Sequence, residues 1–225
     1  MMVRHIDAEL QGLKDLALQM GGCVEKAIEF ACKAVVARDM QAIDEVHRHE
    51  LRINDLQILI DESCVNVLAK QAPVAKDLRL VIAITRINTD LERMGDQSKN
   101  IGYMAKDLYQ AWPNVVLPTQ LHQLIDEVRS MVRLVLDAFA SRNVELSQKV
   151  LKLDDAVDKL RDSLVKEMKT KMKAESDQIE IGLAFIMIAK NLERMADHAT
   201  NIAEEVIYLA TGNDVRHGHT VSAKS

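Results

Sequence analysis

Proline, glycine and aromatic residues are scarce in this 225-residue chain, which has three prolines, eight glycines and 3% Phe, Trp and Tyr together. With few breakers there are few forced turns, so regular segments should be long. With few aromatics, Leu, Ile, Val, Ala and Met must fill the interior, with Glu, Lys, Gln and Arg outside. These are strong helix formers, and the chain reads as all-α. Cysteine is sparse too. Cys23, Cys32 and Cys64 are odd in number, lack zinc spacing and fall in helical patterns, where they act as small hydrophobes. Such usage suits a reducing cytoplasm. No apolar run opens the chain over residues 1–10, so no signal peptide is expected. The most apolar stretch, residues 181–189, falls well short of the roughly 20 residues of a membrane helix. The expectation is a soluble cytoplasmic protein with no membrane insertion. A net charge of −5 argues against a nucleic-acid partner, which would need a basic surface against phosphates.

What the chain does have is one stretch present twice. Residues 91–101 read Leu-Glu-Arg-Met-Gly-Asp-Gln-Ser-Lys-Asn-Ile, and residues 192–202 read Leu-Glu-Arg-Met-Ala-Asp-His-Ala-Thr-Asn-Ile. The copies share Leu, Glu, Arg, Met, Asp, Asn and Ile at a constant offset of 101 residues. An offset of nearly half the chain marks a duplicated unit.

The helical periodicity divides the same way. A first helix is expected over 3–37, with Gly21-Gly22 weakening or kinking it at about 1 kcal/mol per glycine. Asp39 is placed to cap a second helix that runs to Gln71, with Val46, Ile53, Leu56, Ile60 and Val67 inward. After Pro73 a third spans 75–110. Its positions 80, 84, 87, 91, 94, 98, 101, 105 and 108 form an apolar stripe broken only by Ser98. Residues 111–118 hold two prolines and the only tryptophan and read as the linker. Helices over 119–141, 143–172 and 176–210 repeat the plan, with Arg142-Asn143 in the place of Arg38-Asp39. Gly212 is the stop. The predicted architecture is two pseudo-symmetric antiparallel three-helix bundles, elongated, over residues 1–111 and 119–211, followed by a flexible tail over 212–225.

The repeated carboxylates are the lead on function. With Leu91 as zero, Glu92 falls near 100°, Asp96 near 140° and Asn100 near 180°, roughly off the core stripe. Glu193, Asp197 and Asn201 take the same angles. On the second helix of each unit, Glu50 and Asn54 correspond to Asp154 and Asp158 at an offset of 104. If these helices are neighbours, each repeat gathers four oxygen-bearing side chains at its surface. Carboxylates four apart repel unless compensated. Arg93 and Arg194 would do so partly, and a divalent cation with several oxygen ligands would do so better. On spacing alone, a solvated acidic face remains the plainer reading. Duplication in register adds weight to metal, although shared ancestry of the halves explains it too.

The chain resembles the PhoU family of phosphate-signalling regulators. The resemblance lies in the repeated Leu-Glu-Arg-Met-x-Asp with its trailing Asn-Ile, residues 71–79 (Gln-Ala-Pro-Val-Ala-Lys-Asp-Leu-Arg), Met20-Gly21-Gly22, residues 135–139 (Val-Leu-Asp-Ala-Phe) and Asp214-Val215-Arg216-His217. It covers about residues 4–218. It implies paired three-helix bundles and a cytoplasmic negative regulator of phosphate uptake. The implied partners are the ATPase subunit of the high-affinity phosphate ABC transporter and a sensor histidine kinase, with the protein often a homodimer. Some members bind multinuclear metal clusters through Glu/Asp-x-x-x-Asp motifs. Carried over, the implied ligands are Glu50, Asn54, Glu92, Asp96, Asp154, Asp158, Glu193 and Asp197, for iron, manganese, zinc or magnesium. Arg93, Arg194, Asn100 and Asn201 would support them from behind. Asn54 departs from the motif, because an amide replaces a carboxylate, so the first cluster should be the weaker.

Other residues lead nowhere further. His198 reads as an exposed histidine rather than an extra ligand, and His47 and His49 as surface. Methionines such as Met94 and Met195 are core fillers. No nucleophile–base pair, Glu-x-x-His pairing or glycine-rich phosphate loop stands out, so an enzyme is not expected. The rival readings are a metal-free helical adapter and a carboxylate metalloenzyme or metal store.

Overall fold

A computed structural model describes residues 5–215. Its elements are α1 (His5–Val36), α2 (Ala42–Gln71), α3 (Lys76–Ala111), α4 (Thr119–Ser141), α5 (Val144–Ala174) and α6 (Gln178–Thr211). The fold is all-α, two three-helix bundles joined by residues 112–118, and elongated along helices such as α3, whose 36 residues span about 54 Å. Every stripe position of α3, Ser98 included, is buried. The matching stripe of α6 is buried from Phe185 to Val206. Gly212 ends α6 with φ 79°, the left-handed cap expected of it. The expected tail lies, from residue 216 on, outside the described residues, as do residues 3 and 4 of the first expected helix.

Two local expectations change. α1 runs through Gly21-Gly22 without a break. The reason lies on α4: a Cβ at Gly21 would stand 2.6 Å from Leu136 Cδ2, so this glycine lets the two bundles approach. Asp39 does cap, but from further back than the usual position. Its Oδ1 accepts from the backbone N–H of Gln41 at 3.1 Å and of Ala42 at 3.3 Å. The corresponding Asn143 caps α5 through Leu146 N–H at 3.1 Å. At both corners an arginine takes the left-handed conformation, Arg38 with φ 56° and Arg142 with φ 52°. Arg38 also ties down the linker by donating to the carbonyls of Pro113 and Val115.

The helix packing makes two layers. α2, α3, α6 and α5 lie side by side in that order, while α1 covers α2 and α3, and α4 covers α5 and α6. One continuous apolar core runs between the layers through both bundles. α3 and α6 meet antiparallel at the centre. Arg86 pairs with Glu205 at 2.8 Å, and Asn191 Nδ2 lies 3.6 Å from Met104 Sδ. These contacts put the crossing level with Gly95 and Ala196, equivalent positions of the two motifs. The duplicated stretches therefore face each other across a pseudo-dyad.

Candidate functional site

The outer face of the four-helix layer carries the acidic residues. Antiparallel packing of α2 on α3 is fixed by Asn88, whose side-chain amide donates to Gln57 O at 3.1 Å and Asp61 Oδ1 at 2.9 Å. Gly95 permits the closeness, since a Cβ there would stand 3.0 Å from Ile53 Cδ1. This register brings Glu50 and Asn54 beside Glu92 and Asp96. In the second bundle the same geometry gathers Asp154, Asp158, Glu193 and Asp197.

The first group is the less open. Glu50 was expected at the surface but is 3% exposed. Its Oε1 accepts from Lys99 Nζ at 2.9 Å and from Asn54 Nδ2 at 3.0 Å. Its Oε2 is buried and, among the described residues, has no hydrogen bond, with His47 Nδ1 3.6 Å away. Burial, and then the neighbouring Asp96 carboxylate, raises the Glu92 pKa above the ordinary glutamate value, while Arg93 and His198 pull it down. Asn54 and Asp96 are half-buried.

The second group is more acidic and more open, with Asp158 and Asp197 exposed. Burial raises the Asp154 pKa, helped by Asp158, Asp155 and Glu193. Asp197, open at its tip, is raised by the partial desolvation of its inner side, then by Glu193 and Asp154, while His198 lowers it. The guanidinium of Arg161 stands among them, 2.9 Å from Asp158 Oδ1, 3.2 Å from Asp162 Oδ1 and 3.7 Å from Glu193 Oε1.

The supporting residues differ from expectation. Arg194 is exposed and, among the described residues, has no carboxylate partner. One residue along a helix is a rotation of about 100°, which carries it away from Glu193. Arg93 Nε reaches only 3.6 Å from Glu92 Oε2. Asn100 points to solvent, and Asn201 donates instead to Asp90 Oδ1 at 3.1 Å. His198, expected at the surface, is half-buried on the α3–α6 seam with Nδ1 2.9 Å from the same Asp90 oxygen. The compensating cations are Lys99 and Arg161. Each follows an acid of its group by three residues, Asp96 and Asp158, a spacing that shares a helix face and was there to be read.

The donor chemistry fits a hard divalent cation: crowded carboxylates with little hydrogen bonding, and one bare buried oxygen on Glu50. The geometry as it stands does not close on one. Among the described residues, no three His, Cys, Asp or Glu side chains stand in position to hold a metal ion. Lys99 and Arg161 supply the positive charge instead. A second cation would add to the group that keeps the greater excess of carboxylate, the one around Arg161.

Desolvation, added to by crowding, has a consequence for pH. A carboxyl whose pKa is higher folded than unfolded binds more protons in the folded state, so its contribution to stability falls as pH rises through that interval. Glu92, Asp154 and Asp197 all act in this sense above the ordinary carboxylate range. Replacing Asp154 by Asn should therefore raise the urea midpoint at neutral pH and leave it unchanged near pH 3, as followed by circular dichroism.

Comparison with known proteins gives a consistent picture. A sequence profile described as the PhoU domain matches residues 17–105 and 121–206, once for each bundle. The phosphate-specific transport system accessory protein PhoU homolog of Pseudomonas putida is 37% identical over 214 residues, covering 95% of this chain and 84% of the relative. The phosphate-specific transport system accessory protein PhoU of Escherichia coli K12 is 31% identical, covering 95% and 88%. The crystal structure of PhoU from Pseudomonas aeruginosa superposes with a TM-score of 0.89 at 35% identity, covering 92% of this chain and all of that one. That of the phosphate transport system regulatory protein PhoU from Streptococcus pneumoniae gives 0.84 at 32%, covering 94% and 99%.

Proposed function

The chain belongs to the PhoU domain family, and from that premise we propose that it is a cytoplasmic negative regulator of phosphate uptake and of the phosphate-starvation response. It couples the ATPase subunit of the high-affinity phosphate ABC transporter to a sensor histidine kinase. It does so as a homodimer, through protein contacts rather than by turnover. The naming of its relatives as accessory and regulatory proteins of phosphate transport supports this reading. No helix of the described residues is long and apolar enough to cross a membrane, so contact with a transporter would be made from one side of it.

The observation that carries a binding role is the placement of both acidic groups on one open face. Divalent metal, whether iron, manganese, zinc or magnesium, binds there when Lys99 and Arg161 give way. The group around Asp154, Asp158, Glu193 and Asp197 holds it more tightly than the group weakened by Asn54. The presence of Lys99 and Arg161 favours a second reading, a metal-free adapter whose acidic faces are balanced from within. Elemental analysis after mild purification separates the two. Bound metal that falls in the Glu193→Ala/Asp197→Ala variant supports the first, and a metal-free wild type supports the second. The regulatory role is tested by affinity purification of the full chain from cells grown at high and low phosphate. Recovery of the transporter ATPase subunit and the kinase at high phosphate is expected, and absence of both removes the reading.

A further inference from the structure

The two bundles match closely along α3 and α6 but not along the outer face of their middle helices. On α2, Leu51, Ile58 and Val65 are 52%, 61% and 65% exposed. They stand seven residues apart, which at 3.6 residues per turn keeps them on one line. In register on α5 stand Asp155, Asp162 and Lys169, all exposed. The residues between them reverse as well. Asp55 and Glu62 on α2 correspond to Lys159 and Lys166 on α5. The α5 face is thus a solvated face in which a base follows an acid four residues on, Lys159 after Asp155 and Lys166 after Asp162. The α2 face is an apolar line flanked on one side by Asp55 and Glu62, which have no ion-pair partner among the described residues.

Scattered exposed apolar residues need no explanation, but an ordered line of them does. The packing of α2 on α3 places residues 65–68 level with residues 78–84. Leu68, Leu78 and Ile82, each 36–40% exposed, therefore widen the line at one end. Leu78 and Ile82 recur in the second bundle as Ile179 and Leu183, which are also partly exposed. The α2 line has no such counterpart, so pseudo-symmetry does not account for it.

We propose that the outer face of α2 is a docking site for a basic amphipathic helix of a partner protein. Heptad spacing suits a helix laid along α2, its apolar residues seated between Leu51, Ile58 and Val65. Asp55 and Glu62, exposed and without an ion-pair partner among the described residues, select lysine or arginine on the flanks of that helix. A second copy of this chain is the wrong occupant. An antiparallel α2–α2 contact centred near Ile58 sets Asp55 of each copy against Glu62 of the other, and a parallel one sets Glu62 of each copy beside Asp61 of the other. The inference rests on the reading that the chain works through protein contacts, and it assigns one of those contacts a surface.

The second bundle supplies the variant for the test. Leu51→Asp/Ile58→Asp/Val65→Lys installs on α2 the residues that α5 carries in register, all at exposed positions, so folding should be unaffected. If circular dichroism shows otherwise, Ile58→Asp alone serves. The probe is a fluorescent peptide of three heptads with leucine on the seam and lysine on the flanks, titrated into the full chain and followed by anisotropy. Binding to the wild type is expected, weakened about tenfold or more both by the variant and by replacing the peptide's lysines with glutamate. Equal binding to wild type and variant, or indifference to the peptide's charge, overturns the proposal. So does sedimentation in which the triple variant loses a dimer while peptide binding is unchanged, since the occupant would then be a second copy. Should the transporter ATPase subunit and kinase still co-purify with the triple variant while the peptide does not bind wild type, the docking site falls and the regulatory reading stands.

Discussion

Lys99→Ala is expected to lower the stability of the folded chain by about 3 kcal/mol, read as a fall in the urea midpoint at constant slope. Its partner Glu50 is 3% exposed, and Lys99 is, among the described residues, the one charged donor within hydrogen-bonding distance, at 2.9 Å. Without it the carboxylate keeps the Asn54 amide on one oxygen and, among the described residues, only His47 Nδ1 at 3.6 Å on the other. Removing one member of such a pair leaves a charge in a poor dielectric, whereas removing both does not. The double variant Glu50→Leu/Lys99→Met should therefore lie much nearer the wild type. The pH sign follows from Lys99, whose pKa is raised, first by its hydrogen bond to Glu50. The stabilisation it provides is complete below the ordinary lysine value and fades as pH climbs through the raised one. The same variant bears on the metal. If a divalent cation takes the place of the lysine, manganese restores the midpoint of Lys99→Ala but not that of Glu50→Gln/Lys99→Ala.

Leu91→Ala and Leu192→Ala should each cost about 3–4 kcal/mol, and by similar amounts. The two leucines open the two motif copies, and both are fully buried. Each borders the central seam, and the apolar core continues from one bundle to the other. Unfolding should accordingly remain a single transition in both variants. Fluorescence of Trp112, the only tryptophan, and far-ultraviolet circular dichroism should trace the same curve. A split transition, with Leu91→Ala moving only its first part, would show that the bundles unfold separately.

What could be read in advance was what repeats. The stripe from Leu80 to Leu108 announced α3 because every third or fourth residue had to meet the same core, and Pro73 and residues 111–118 announced its ends. The pairing of α3 with α6 left no such trace. Its seam is built from Arg86, Asp90, Met104, Asn191, His198 and Glu205, whose polarity resembles that of a solvent face until the partner helix is in place. His198 belongs to this seam, and Glu50 is buried because Lys99 arrives from α3 to cover a flank that the periodicity of α2 alone leaves open. Gly21 looked like a weakness, because the sequence does not say which side chain will arrive beside it. The acidic groups are legible as spacing, whereas the cations within them stand one turn on from an acid, at Lys99 and Arg161, and not at the arginine adjacent in sequence.

The antiparallel crossing at Gly95 and Ala196 is the arrangement by which two identical three-helix chains would associate about a twofold axis. Covalent linkage through residues 112–118 makes that association intramolecular, so the effective concentration of one half around the other no longer depends on dilution. Freed from having to match a copy of itself, each half can then specialise. Lys99 corresponds in the repeat to Thr200, Leu51 to Asp155, and Arg86 to Met187. Tethering is thus what allows a nearly symmetric frame to present two chemically different faces.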